Sequence, residues 1–213
     1  MQIKCLTVGA LQANCYIINQ EGSSQALLLD PGSEADRIIA YLEDQGLELE
    51  AILLTHGHCD HIGALEAIRQ YSQAAVYIHP AYQDYLLSAE KNLSALGFAS
   101  QAVTCQPAEE TFQEGKLYHL AGLSFEVFHT PGHTPGGVSL YFEDEGLLFS
   151  GDTLFRHSIG RTDLIGGDTA TILKSIIQKL FLLPEETRVF PGHMGETTIA
   201  EEKSHNPFFK LSD

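Results

Sequence analysis

The stretch His56-Gly57-His58-Cys59-Asp60-His61 places four potential metal ligands within six residues, in the order His-x-His-x-Asp-His. Neutral imidazole is the commonest protein ligand for a metal, and imidazole with carboxylate suits zinc, iron or manganese. Asp60 alone would also suit the N-terminal cap of a helix. The histidines have no helix-starting or turn-forming role, so the cluster as a whole predicts a metal site. Three later stretches repeat the format of a glycine beside a ligand at the end of an apolar run: Gly132-His133, Gly151-Asp152 and Gly192-His193. Glycine lets the backbone turn sharply and come close to an ion. Any one of these could be structural, but all of them together with the cluster predict one shared site.

The elements around these residues must aim them. Ile3 to Val8, Cys15 to Asn19 and Ala26 to Asp30 read as strands, and Ala51 to Thr55 leads directly into the cluster. Ser33 can cap a helix from about Glu34 to Gln45, and a second helix is expected from Ile62 to Tyr71. A strand at Ala75 to Ile78 and a helix near Ala81 to Leu87 precede Ser88 to Gln106. That segment is the least patterned of the chain, either a mobile lid or a surface excursion. Strands then recur at Lys116 to Leu120, Leu123 to His129, Val138 to Phe142 and Leu147 to Ser150. An amphipathic helix at Thr169 to Leu180, a strand at Arg188 to Phe190 and a terminal helix at Ile199 to Lys203 complete the pattern. Strands then helices in each half, with no repeat and no linker between them, suggest a single α/β (α+β) domain over residues 1–213, with two mixed sheets and helices outside.

Composition narrows the partners. The formal net charge of −16 argues against nucleic acid, and no apolar run is long enough to span a bilayer. Met1 to Cys5 lacks the features of a signal peptide, so a cytoplasmic location is expected. Cys5, Cys15, Cys59 and Cys105 show no Cys-x-x-Cys spacing and read as free thiols of a reducing compartment. Cys59 is expected to fill a spacer position pointing away from the ligands, with a soft metal ligand as the alternative.

These motifs resemble those of the metallo-β-lactamase superfamily, over nearly the whole chain from Asp30 in Leu28-Leu29-Asp30-Pro31-Gly32 to His193. Thr130-Pro131-Gly132-His133-Thr134-Pro135-Gly136 and Gly151-Asp152-Thr153-Leu154-Phe155 are similar to the glyoxalase II branch, the hydroxyacylglutathione hydrolases. The resemblance implies a four-layered αββα sandwich holding two divalent metal ions, with zinc the first expectation and iron or manganese the alternatives. It implies that His56, His58 and His133 bind one ion, that Asp60, His61 and His193 bind the other, and that Asp152 bridges them. Asp60 and Asp152 would be the catalytic carboxylates, and Asp30 would orient a ligand or the loop backbone. The glyoxalase II branch carries a C-terminal helical domain that contacts glutathione, whereas this sequence stops about twenty residues after His193. Ser158 to Asp163 is more similar to short, single-domain relatives and to persulfide dioxygenases. Asp152 disfavours the lactamases with Cys at that position, and His58 disfavours the flavodiiron branch.

The chemistry implied is hydrolysis of a small-molecule thioester such as S-lactoylglutathione by a metal-bound hydroxide. A thiol leaves as thiolate with little help from an acid, whereas an amine would need a proton donor. A lactone fits equally well. The alternatives are a persulfide dioxygenase using His56, His133 and Asp152 on a single iron, and a non-catalytic metal-binding protein. Arg156 and Arg161 are candidate partners of a substrate carboxylate, with an ion pair to Asp163 as the competing reading of Arg161. His157 is a further candidate for the pocket. His79, His119, His129 and His205 read as structural or surface residues.

Overall fold

The computed structural model describes residues 1–210. The chain divides into two compact units, one formed by Met1–Phe112 with His119–Leu123 and the other by Gln113–Tyr118 with the chain from Ser124 onward.

In the first unit the apolar, β-branched stretches form a six-stranded mixed sheet. Its strands β1 (Gln2–Val8), β2 (Ala13–Asn19) and β3 (Gln25–Leu29) run antiparallel to one another. Beyond β3 the sheet turns parallel through β4 (Glu48–Leu53), β5 (Ala75–Ile78) and β6 (Glu110–Thr111). Every residue of β2 is buried, as expected for a strand inside a sheet with both faces covered. Helix α1 (Ala35–Gln45) makes the crossover from β3 to β4, burying Ile38 and Leu42. Gly46 ends it in the left-handed region at φ 63°, where glycine carries no steric penalty.

Two helix expectations need correction here. Ser33 does not cap α1. Glu34 holds the cap position at φ 57° without a side-chain cap bond, and its Oε1 accepts instead from Gly9 N at 2.8 Å. The helix expected from Ile62 to Tyr71 is two pieces, α2 (Cys59–Ile62) and α3 (Leu65–Ser72). The break is tertiary. A Cβ on Gly63 would lie 2.4 Å from Gly32 O, and Ala64 N donates to Pro31 O at 2.9 Å. Asp60 accordingly lies inside the first turn of α2, with His58 at the cap position.

Helix α4 (Gln83–Leu87) leads into the unpatterned segment, which contains a 3₁₀ turn at Ser94–Leu96. The segment is pinned at its middle. Asn92 is fully buried and donates to Tyr85 O at 3.2 Å and to Val103 O at 2.9 Å. Its own carbonyl accepts from Cys59 N at 2.9 Å, tying the segment to the start of the histidine cluster.

The second unit is built on another six-stranded mixed sheet, which begins at β7 (Leu117–Leu120). β8 (Leu123–His129), β9 (Val138–Phe142) and β10 (Leu147–Gly151) follow, each antiparallel to the one before from β8 onward. After the small hairpin of β11 (Leu154–Phe155) and β12 (Ser158–Ile159) comes α5 (Thr169–Gln178). It carries the chain to β13 (Arg188–Pro191), parallel to β10, and β14 (Thr197–Thr198) closes the edge. Asp168 caps α5, accepting from Thr171 N at 2.7 Å, and Ile172 and Ile176 are its buried face. The amphipathic pattern runs on to Leu180, but the helix ends at Gln178 and a 3₁₀ turn at Leu180–Leu182 follows. Helix α6 (Ile199–His205) begins at a Thr198 cap. Among the described residues no helix is long and apolar enough to cross a membrane.

Candidate metal centre

In each unit the candidate ligand residues lie just past the carboxyl ends of parallel strands, where open α/β sheets place their functional loops. The cluster follows β4, while Asp152 and His193 follow the parallel pair β10 and β13.

The candidate ligands of the first unit are buried and tightly wired. His56, His58 and His61 are 1%, 3% and 0% exposed, too enclosed for solvated surface histidines. Their rings cluster, with centroids 4.1 Å apart for His56 and His61 and 4.9 Å for His56 and His58. Asp30 is the hub beneath them. Its Oδ1 accepts from Thr55 N at 2.8 Å, and its Oδ2 accepts from Thr55 Oγ1 at 2.6 Å. His61 Nδ1 lies 3.0 Å from the same Oδ2, and His56 Nδ1 lies 3.1 Å from Thr55 Oγ1. The Thr55 hydroxyl has one proton, which goes to the carboxylate, so its oxygen must accept from His56 Nδ1–H. His61 Nδ1–H donates to Asp30 directly. Both rings are thereby set in the tautomer that carries its lone pair on Nε2, the form a metal ligand needs. Asp30 itself sits at φ 50°, a conformation that Asp tolerates better than most residues.

The loops around these residues meet at glycines. A Cβ on Gly32 would stand 1.7 Å from Asp60 O, and one on Gly57 would stand 2.8 Å from Tyr85 Cβ. Only glycine at 32 allows the loop after β3 to lie against α2. Asp60 is half-buried, with Oδ2 3.8 Å from His61 Nε2.

The candidate ligands of the second unit repeat this logic with different partners. His133 Nδ1 donates to Arg161 O at 2.7 Å, which again leaves the Nε2 lone pair free of a proton, as a metal ligand needs. That Nε2 lies 3.6 Å from Asp152 Oδ2, and His193 Nδ1 lies 3.0 Å from Asp152 Oδ1. Asp152 thus stands between two histidines. Gly160 shapes the loop below it, since a Cβ there would meet Asp152 O at 1.8 Å. Gly132 sits at φ 130°, where a Cβ would fall 2.2 Å from Ile172 N, so the loop before His133 rests against the start of α5.

The donor chemistry fits divalent metal. Two ligands about 2.0 to 2.1 Å from a tetrahedral ion stand about 3.4 Å apart. Asp60 Oδ2 with His61 Nε2, and His133 Nε2 with Asp152 Oδ2, are already near that spacing at 3.8 and 3.6 Å. Asp30 also brings an oxygen close to His56 and His61. Its carboxylate, however, is occupied by Thr55 and by His61 Nδ1, which suits an orienting role rather than ligation.

The substrate candidates lie differently. Arg161 is exposed and forms a two-pronged pair with Asp163, Nε to Oδ1 at 2.7 Å and Nη2 to Oδ2 at 2.8 Å. The Arg161 hydrogen bond holds the Asp163 carboxyl down to about 2. His157, at φ 57°, turns its ring onto Glu201 of α6 at 2.7 Å, and its backbone N donates to the buried Glu202. Arg156 lines a surface depression with Arg188, Glu196 and Glu201. Arg161→Ala should therefore impair acidic and neutral substrates alike and only slightly, read as kcat/KM for each; a loss confined to acidic substrates would show that the guanidinium leaves Asp163 to bind them. Asn92 is the residue that sequence reasoning missed, since a lone Asn in a polar stretch carries no signal of burial. His79, His129 and His205 make local contacts, to Ala81 N, Pro135 O and Glu201.

Cys59 is buried, and burial, helped by the neighbouring Asp60 charge, pushes its thiol up to about 11. Cys15 and Cys105 are buried too, while Cys5 is exposed. Mass spectrometry of the native protein after brief alkylation at neutral pH is expected to show one modified thiol, Cys5, with all four modified only after unfolding. Rapid modification of Cys59 would mean that the cluster opens.

The family model described as the metallo-beta-lactamase superfamily matches residues 8–193. A probable metallo-hydrolase, YqgX of Bacillus subtilis, is 42% identical over 98% of this chain and 97% of its own. The hydroxyacylglutathione hydrolase GloC of Haemophilus influenzae is 36% identical over 98% of each. The crystal structure of the BLEG-1 B3 metallo-beta-lactamase superposes with a TM-score of 0.94 at 41% identity, covering 99% of this chain and 100% of that one. Matched along nearly its full length by sequence and by structure, with two mixed sheets and helices in the expected order, the chain belongs to the metallo-beta-lactamase superfamily.

Proposed function

We propose that this protein is a metal-dependent hydrolase of thioesters. In this reading His56, His58 and His133 hold one divalent ion, Asp60, His61 and His193 hold a second, and Asp152 is shared between them. The observation that carries it is the tautomer control exerted by Asp30, which presets His56 and His61 as Nε2 ligands. A histidine cluster kept only for packing would need no such wiring. The name of GloC, a relative of equal length, supports a thioester as the substrate class.

When bound, a pair of divalent ions polarises a carbonyl and makes hydroxide available near neutral pH. The chain's own contribution is to fix the ligands. Asp30 and Thr55 hold two imidazoles in one tautomer, Arg161 O holds a third, and His56, His58 and His61 are themselves buried. No general acid is required for a thiolate leaving group, whose parent thiol ionises near pH 8.5. Zinc, iron and manganese all suit this ligand set. The free cysteines suit a reducing compartment.

The likeness to the BLEG-1 lactamase favours a second reading, hydrolysis of a β-lactam amide. Metal-loaded protein should be given S-lactoylglutathione, a simple acyl thioester and a chromogenic β-lactam side by side. Thioester turnover with kcat/KM at least about a hundredfold above that for the β-lactam is expected, roughly 3 kcal/mol of transition-state preference. The reverse order would replace the thioesterase with a lactamase.

A further inference from the structure

The first unit contains a cavity of about 500 Å³ whose floor is the start of α2 at Cys59 and Asp60. Val8 and Leu11, at the turn between β1 and β2, form one wall. The loop bearing Phe98, Ala99, Gln101 and Val103 forms the other. Its size is that of a pocket enclosing a small organic molecule. Asp60 is the sole charged side chain among the described residues that line it.

The wall and the floor are tied to one residue. Asn92 Nδ2 donates to Val103 O at 2.9 Å, and Asn92 O accepts from Cys59 N at 2.9 Å. Ser94 Oγ accepts from Val103 N at 2.8 Å and closes the neck of the loop. The segment that looked unpatterned in sequence is thus a wall fastened to the residue next to Asp60.

We propose that this cavity receives the non-reacting part of the thioester and selects a neutral, partly apolar one, with Phe98 and Leu11 as its specificity-determining residues. The proposal rests on the thioesterase reading. Glutathione carries two carboxylates, and a carboxylate entering this cavity would lose water and meet no cationic side chain on its walls. Of the arginines near Asp152 in sequence, Arg161 is paired with Asp163, and Arg156 lines a different surface depression with Glu196 and Glu201. An apolar or aromatic group would instead cover Phe98 and Leu11.

The test compares two thioesters with the same lactoyl group, one on glutathione and one on neutral N-acetylcysteamine, using metal-loaded full-length protein. Expected is a kcat/KM at least about tenfold higher for the neutral carrier, a preference within reach of a few pocket contacts. Phe98→Ala should erase most of that preference by raising KM for the neutral carrier, with kcat and metal content kept. Ala99→Lys, which leaves Phe98 in place, should shift the ratio toward glutathione by about tenfold. Equal or better turnover of the glutathione thioester by the unaltered protein would overturn the proposal while leaving the thioesterase intact. So would ratios that neither substitution moves. Failure to hydrolyse either thioester would overturn the thioesterase reading and this proposal with it.

Discussion

Replacing His61 by alanine is expected to lower bound metal from about two ions to about one per chain and to cut kcat by at least a hundredfold, roughly 3 kcal/mol. The residue is fully buried, with Nδ1 held 3.0 Å from Asp30 and Nε2 3.8 Å from Asp60. Its loss would remove a proposed ligand and also a donor to the Asp30 carboxylate. The metal count and the rate must fall together. A variant that keeps two ions and loses only rate would show that His61 acts on the substrate, and one that keeps both would remove it from the site.

The second large effect is expected at Asp30. Asp30→Asn keeps the shape and tolerates the positive φ of this position. Its amide oxygen can still accept from Thr55 N. Its amide nitrogen, placed where Oδ2 was, would deprive the Thr55 hydroxyl of its acceptor and point a proton at His61 Nδ1–H. Donor would face donor. His61 can relieve this only by moving its proton to Nε2, which destroys the lone pair meant for the metal. Metal affinity is therefore expected to fall by about ten- to a hundredfold, measured by competition with a chelator. Misplaced buried donors should also cost about 1 to 3 kcal/mol of stability, read from denaturant unfolding of the metal-free protein. Unchanged affinity would mean that Asp30 supports only the loop backbone.

The candidate metal-binding motifs stand out in the sequence because each is local: a potential ligand beside a glycine after an apolar run. Strands β2, β3, β4, β8, β9 and β10 were legible for the same reason, their runs of Leu, Ile, Val and aromatic residues being long enough to register. What failed was set from a distance. The start of α1 depends on Gly9 N, and the break between α2 and α3 depends on Gly32, far away in sequence. The two-residue strands β6, β11, β12 and β14 are too short to show any period. Asn92 and Thr55 carry no motif, and their importance emerges only from what they bond to. The Arg161–Asp163 pair was legible as an alternative because opposite charges two residues apart can meet without help from the fold.

Metal titration of the stripped protein, with thioester turnover followed in the same cuvette, tests the central claim most directly. A pair of ions held by His56, His58, Asp60, His61, His133, Asp152 and His193 predicts activity that rises with added metal and saturates near two equivalents per chain. Saturation at one equivalent of iron, with oxygen consumed on a persulfide and no thioester cleaved, would contradict it.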